Sequence, residues 1–359
     1  MDRVYTAAVI GAGSGGKLSM KALDASERFR LVAVADISPQ ACEEVAALYP
    51  GVRTYASHDE LLSDVHPDVL CVSTWPPSHR AVVDAALAHG LRGILVEKPL
   101  ADTWADGRAI LDAIRARQLP MVTPHGLLVA NHVAEIMDRV RSGELGSLQL
   151  IEIQCTGWDI INAGIHWLNF VVALLGGDMA GWVMAAVDKG TRTYRDGMQV
   201  ETAAVTCVQF RSGLRVVMYT GDYVTVTAPG EGVLFRLVGT AGLIEFYAWK
   251  PRYRIVSPRH PAGALIEVDP GTKPAHQRYL DRLAIQIDAG TPDYVIPESS
   301  LAALELCEAA YLSARHGCTV SLPLAGYAVP PSNDWQPGQP YAGTGGGRNG
   351  RQLPVAIRN

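Results

Sequence analysis

The hexapeptide Gly11-Ala12-Gly13-Ser14-Gly15-Gly16 places Gly11, Gly13 and Gly16 at G-x-G-x-x-G spacing, between the apolar run Ala7–Ile10 and a helical stretch. Only glycine permits the tight turn and the close backbone approach that a pyrophosphate needs at a helix N-terminus. Asp36 ends a second apolar run, Leu31–Ala35, twenty residues beyond Gly16. A carboxylate there can accept hydrogen bonds from an adenosine ribose and repel a 2′-phosphate, and neither Ile37 nor Ser38 supplies an arginine for NADP. Strand, glycines and acid in register point to NAD; an isolated glycine turn followed by a helix-capping Asp is the plainer reading of the same residues. Further on, Val96-Glu97-Lys98-Pro99 closes another apolar run. A lysine at such a strand end can bond a hydroxyl and lend it positive charge, while proline allows a cis bond; a surface turn would use the same residues.

The elements that must position these groups alternate short β-branched runs with helical stretches: Ala7–Ile10, Leu31–Ala35, Val69–Val72 and Gly93–Val96. Strands apolar on both faces belong in a parallel sheet covered on both sides, so residues 1–123 are expected to form a doubly wound α/β domain. After a helix near Val133–Arg141 the pattern changes to longer strands, Ser147–Thr156, Trp182–Asp188, Glu201–Phe210, Leu214–Thr220, Gly232–Val238 and Leu243–Ala248. Turns such as Arg211-Ser212-Gly213 predict a mainly antiparallel sheet in a second, α+β domain over 124–325. Helices are expected at Ala163–Leu175, His276–Ala289 and Ser299–His316, with Gly176 and Gly317 as C-caps. Residues 326–359 carry Gly and Pro without an apolar period and read as an arm or tail.

Composition narrows the partners. With 31 Lys plus Arg against 36 Asp plus Glu the net charge is −5, which offers no field for nucleic acid or an anionic membrane. The six cysteines are scattered and never form a C-x-x-C pair, so reduced core thiols in a cytoplasmic protein are expected, with no metal set. No apolar stretch reaches membrane-spanning length. Small molecules remain as ligands.

Together these motifs resemble the glucose–fructose oxidoreductase, inositol dehydrogenase and rhizopine-catabolism family, Gfo/Idh/MocA, over roughly Val4–Leu324. Glu97-Lys98-Pro99 matches its Glu-Lys-Pro motif, Trp75-Pro76-Pro77-Ser78-His79 its T-P-P-x-x-H-like stretch, and Ser313-Ala314 through Leu322-Pro323 its closing pattern. The resemblance implies an N-terminal Rossmann domain, a C-terminal domain with a large open sheet, a site between them for sugars or polyols, and a homodimer or homotetramer that covers the open face. It assigns cofactor contacts to Gly11, Gly13, Ser14, Gly16, Asp36, Thr74, Pro76, His79, Glu97 and Lys98, with Lys98 also polarising the substrate. The family's D-x-G-x-H-x-x-D pattern aligns with Asn162-Ala163-Gly164-Ile165-His166-Trp167-Leu168-Asn169. His166 is therefore the implied general acid/base, but both acids have become Asn, which leaves open what orients the ring.

Substrate contacts are expected at His125, Trp158, Asp159, Asn162 and His166. His125 serves equally well as a hinge residue, Trp158 and Trp167 as packing, and Asp159 as a cap; Tyr279 and Asp281 carry no assignment. The leading function is oxidation of a secondary hydroxyl of a sugar, sugar derivative or cyclic polyol. A glycosidase that oxidises, eliminates and re-reduces, and a nonenzymatic NAD-binding sensor, are the alternatives.

Overall fold

The computed structural model describes residues 3–188, 192–226, 228, 230–327 and 347–349. They divide into two compact units, Met1–Gly126 with Thr272–Leu301, and Leu127–Gly271 with Ala302–Asn359.

In the first unit, β1 (Tyr5–Ile10), β2 (Phe29–Ala35), β3 (Arg53–Tyr55), β4 (Val69–Val72), β5 (Gly93–Val96) and β6 (Met121–Val122) form a six-stranded sheet in the order β3-β2-β1-β4-β5-β6. Every pairing is parallel. The expected doubly wound sheet is present, and its central strands β4 and β5 are buried at every residue. The crossovers are α1 (Ser14–Asp24), α2 (Pro39–Leu48), α3 (His58–Val65), α4 (Pro76–Ala86) and α5 (Trp104–Ala116). Strands β3 and β6, three and two residues long, are too short to show an apolar period.

A single boundary near residue 124 does not describe the chain, because residues 272–301 return to the first unit. The cause lies in α8 (Ala275–Ala289), whose stripe Tyr279, Leu280, Leu283 and Ala284 is buried. Leu283 and Ile287 occupy the space that a side chain at Gly93 would fill. Tyr5 donates to Asp288 at 2.6 Å, and Arg28 pairs with the same carboxylate at 2.5 Å.

The second unit contains α6 (Asn131–Arg141), α7 (Ile165–Leu175) and most of α9 (Val295–His316). Its nine-stranded sheet uses β7 (Leu148–Thr156), β8 (Ala180–Val187), β11 (Ala203–Phe210), β12 (Arg215–Gly221), β13 (Val233–Gly239), β14 (Leu243–Tyr247), β15 (Arg252–Ser257), β16 (His260–Glu267) and β17 (Val320–Ser321). Between them in the chain, β9 (Arg192–Arg195) and β10 (Met198–Val200) form a small separate sheet with β18 (Gly347–Asn349). The large sheet is mixed: β12 runs parallel to β7, and the other pairings are antiparallel. Its core face packs Phe235 stacked on Phe246, with Phe170 of α7 edge-on to both. The hairpin β15–β16 has no counterpart among the expected strands, because charged residues alternate with Tyr253 and Ile255 in β15 and most of β16 is exposed.

Helix α9 starts four residues earlier than expected, with Pro297 in its first turn, where its missing N–H costs nothing. Asp293 Oδ1 accepts the Val295 N–H at 2.9 Å. Of the Gly/Pro-rich arm, 328–346 and 350–359 lie outside the described residues, while 347–349 pair with β9. All six cysteines are free, and no helix among the described residues is long and apolar enough to cross a membrane.

Candidate functional site

In the first unit the motif residues gather at the C-terminal ends of β1, β2, β4 and β5. Gly11 adopts φ +94°, and a Cβ there would run into the Ser73 carbonyl; a Cβ at Gly16 would collide with the Gly11 carbonyl oxygen. Both glycines are thus required by the backbone itself. Gly13 has nothing within 4 Å of its Cβ position, and it and Ser14 are exposed at the start of α1. The result is a tight turn with an open outer side at a helix N-terminus, which fits a pyrophosphate.

Asp36 lies where the spacing placed it and also anchors this turn. Its Oδ2 accepts the Ala12 N–H at 2.6 Å and its Oδ1 the Ser38 N–H at 2.8 Å. The carboxylate is half-buried, and each oxygen keeps a lone pair for a ribose hydroxyl.

The loop after β4 departs from the expected direct contacts. His79 is wholly buried, its Nε2 2.9 Å from the Thr74 carbonyl and its Nδ1 3.2 Å from the Leu100 carbonyl. It ties the two loops together from behind and has no open face for a cofactor. Burial pushes its pKa down against the pull of these carbonyls. Pro76 is likewise buried at the start of α4, whereas Thr74 is half-exposed and accepts from Ser78 at 2.8 Å.

Glu97 is 6% exposed, and its Cγ and Cδ lie 3.2 Å from the Cβ position of Gly15. Its Oε1 is 2.7 Å from His276 Nε2, and its Oε2 accepts the Lys98 N–H at 3.3 Å. Burial raises the Glu97 carboxyl, but the hydrogen bond and charge of His276, with the charge of Lys98, outweigh it and hold the group below the usual carboxylate range. Lys98 follows, half-exposed, with a cis bond to Pro99. The expectation of His125 as a substrate contact is overturned: the side chain is fully buried, 2.8 Å from Ser300 Oγ, and its carbonyl accepts from Tyr279. Burial, helped by Lys98, pushes its pKa down to about 3, so it stays neutral and structural.

In the second unit, Asp159 opens a wide helical turn, Ile160–Gly164, in which Gly164 N–H reaches back five residues to the Asp159 carbonyl at 3.0 Å. This turn delivers Gly164 and half-buried His166 into α7. The idea that Asp159 binds substrate hydroxyls is corrected by its surroundings. Its side chain is 1% exposed; Oδ1 takes the backbone and side-chain N–H groups of Asn162 at 2.8 and 2.9 Å, and Oδ2 is 2.6 Å from Arg195 Nη1. Asn162 is buried in the same contact. Trp158 is 48% exposed, with the Arg195 guanidinium over its ring at 4.2 Å. Trp167 is core, edge-on to Phe235 and Trp249.

Beneath the turn, Glu201 accepts from Ile160 N–H at 2.7 Å and from Tyr311 at 2.8 Å. Burial, and then the charge of Asp159, push its carboxyl up to about 7. Burial also raises Asp159, against the opposing charge of Arg195. Sequence reasoning missed His276, Arg195, Glu201 and Tyr311. None belongs to a spaced motif, and only folding brings each to its partner.

Comparison with known proteins agrees with this geometry. Residues 5–124 match the Gfo/Idh/MocA family, described as an oxidoreductase family with an NAD-binding Rossmann fold. The chain is 29% identical over 222 residues to an inositol 2-dehydrogenase of Burkholderia multivorans, an alignment covering 58% of this chain and 64% of that one. It is 27% identical to a trans-1,2-dihydrobenzene-1,2-diol dehydrogenase of Oryctolagus cuniculus, over 66% of this chain and 74% of the relative. The fold superposes on an aldose-aldose oxidoreductase from Caulobacter crescentus crystallised with glycerol, with a TM-score of 0.75 at 22% identity, over 89% of this chain and 100% of the other. Turn geometry, sheet order and sequence match converge: residues 5–124 match the Gfo/Idh/MocA oxidoreductase family, and the first unit carries an NAD-binding Rossmann fold.

Proposed function

We propose that this protein is an NAD-dependent dehydrogenase acting on a secondary hydroxyl of a sugar, sugar derivative or cyclic polyol. The observation that carries the reading is the packing of Glu97 against Gly15, which brings the Glu-Lys-Pro motif and the glycine turn to one end of the same sheet. Gly13, Ser14 and Gly16 would hold the pyrophosphate through backbone N–H groups, Gly11 through the turn it makes, its own N–H being donated to Ala35, and Asp36 would hold the adenosine ribose. When bound, NAD supplies the hydride acceptor. Lys98 donates a hydrogen bond to the reacting hydroxyl and favours its developing negative charge. His166 takes the hydroxyl proton on an imidazole nitrogen. Trp158 offers an exposed edge to the apolar side of a sugar ring. The substrate class is supported by the names of the similar proteins, an inositol dehydrogenase, a dihydrodiol dehydrogenase and an aldose oxidoreductase. A second copy of the chain is the partner that would cover the open face of the large sheet, giving a homodimer or homotetramer.

The test is a panel of sugars, cyclic polyols and aryl glycosides, assayed in parallel for NADH formation and aglycone release. NADH formation with at least one sugar or polyol is the expected result. Aglycone release without net NADH would replace the dehydrogenase by a redox-neutral glycosidase, and saturable NAD binding without turnover on any compound would replace it by a sensor.

A further inference from the structure

His276 is the second residue of α8, and its side chain is directed at Glu97, with the two side chains only 12% and 8% exposed. Glu97 in turn touches Gly15 and holds the Lys98 N–H. A nearly buried carboxylate is thus packed against the turn that must receive a doubly charged pyrophosphate. Uncompensated, its charge opposes that ligand, and in surroundings of low polarity the opposition is stronger than in water. An imidazolium 2.7 Å away cancels it.

We propose that His276 is a positioning residue of the cofactor site: in its charged form it neutralises Glu97 and clamps it against Gly15 and the Lys98 N–H, so that dinucleotide binding is coupled to proton uptake by the Glu97–His276 pair. This rests on the reading of the glycine turn as the NAD site. The sign follows from linkage. An anion that binds the protonated pair more tightly binds best at low pH and draws a proton from solution when it binds at neutral pH.

The other ionisable groups around the pair do not supply this proton. Lys98 is the second cation acting on Glu97. From β4, the Cys71 thiol is pushed up to about 12 by burial and by Glu97. From α4, His79 is pushed down by burial and holds two carbonyls. On the segment leading into α8 and on α8 itself, Lys273 is paired with Asp281 at 2.6 Å, and Arg278 donates to the Lys273 carbonyl at 3.0 Å. On α1, Lys17 is paired with Glu44 at 3.2 Å. That leaves the imidazole in direct contact with Glu97, its Nε2 2.7 Å from Oε1.

The experiment is calorimetric titration of the full chain with NADH at pH 6 to 8.5, in buffers of different ionisation enthalpy, with no substrate present. Wild type should lose about five- to tenfold in affinity across that range and take up a fraction of a proton per NADH near pH 7. His276→Gln keeps a hydrogen-bond donor without the charge, and its affinity should be flat at the weak, high-pH level. Glu97→Gln removes the opposing charge, so at pH 8.5, where wild type is weakest, it should bind at least as tightly as wild type does at pH 6. A merely structural clamp would weaken binding in both variants and leave the slope in place. Wild-type affinity without slope or proton uptake overturns the inference while the NAD reading stands, and so does a His276→Gln protein that keeps the slope. Absence of NADH binding by folded wild type at every pH overturns both. Should either variant fail to fold, wild-type proton uptake alone decides.

Discussion

Replacing Lys98 by Met deletes a positive donor at the C-terminal end of β5 without disturbing the Glu97 contacts made through its own backbone N–H. Turnover should fall by roughly two orders of magnitude or more while NADH affinity stays within a few-fold, because the donor acts on the reacting hydroxyl. Steady-state kinetics beside direct binding measure both, and a near-wild-type rate removes Lys98 from the chemistry. At Asn162 the structure changes the expected result of restoring the family's acid. An acid there in the family pattern would lie near His166, but here the Asn162 amide donates to Asp159 at 2.9 Å. Asn162→Asp therefore sets a carboxylate against a buried carboxylate, which raises the pKa of the new acid. Its destabilisation should be small near pH 4.5 and grow toward pH 7.5, the reverse of a gain in imidazole orientation, and thermal melts at the two pH values give the sign. Spacing places Gly11, Gly16 and Asp36 on one turn because their packing depends on local backbone geometry. It misjudged His79, His125 and Asp159 because a polar side chain close to a motif is as easily turned inward as outward, and only its burial tells which.

The turn Ile160–Gly164 shows the same limit for a whole element. A helix over Ala163–Leu175 was legible from its apolar period and the glycines that end it, and α7 ends at a Gly176 of φ +58°. The wide turn before it has no periodic signature, because it is held from below by Glu201 and Tyr311, residues distant in sequence. That support gives the element a pH dependence. A carboxyl raised to about 7 in the folded chain, against 4.5 as its reference, favours folding at low pH and loses that contribution as pH rises through 7. Glu201→Gln mimics the protonated acid at every pH. The variant should gain on wild type between pH 5 and pH 8, by about 1–3 kcal/mol at the upper end. Urea midpoints at several pH values test this, and parallel pH slopes for the two proteins would show that Glu201 is not the titrating group. The strands tell a similar story: β4 and β5 were readable as continuous apolar runs, whereas the edge hairpin β15–β16 is built with charge on its exposed side and resembles loop.

For the molecule as a whole, the return of α8 to the first unit could not be read from the sequence, since the stripe that buries it looks the same whichever sheet it meets. The open face of the nine-stranded sheet is a different matter, because register alone shows which residues share it. Val205 lies opposite Tyr219, and Cys207 lies opposite Met184, so Val205, Tyr219 and Met184 project from one face. They are 38%, 39% and 48% exposed. Farther across the sheet, Arg236 lies between Glu152 at 2.7 Å and Glu245 at 3.5 Å, charges that compensate one another within the face. An apolar patch beside self-paired charges suits burial against a second copy, and a two-fold interface presents each residue twice. Wild type should therefore be a dimer or tetramer by light scattering at micromolar concentration. Val205→Lys with Tyr219→Lys puts like charges on both copies at solvent-facing positions, and should weaken assembly by about a hundredfold or more without unfolding the chain. NADH binding should survive in that variant, because the glycine turn belongs to the other unit. A monomeric wild type, or a double variant of unchanged size, would show that this face does not hold copies of the chain together.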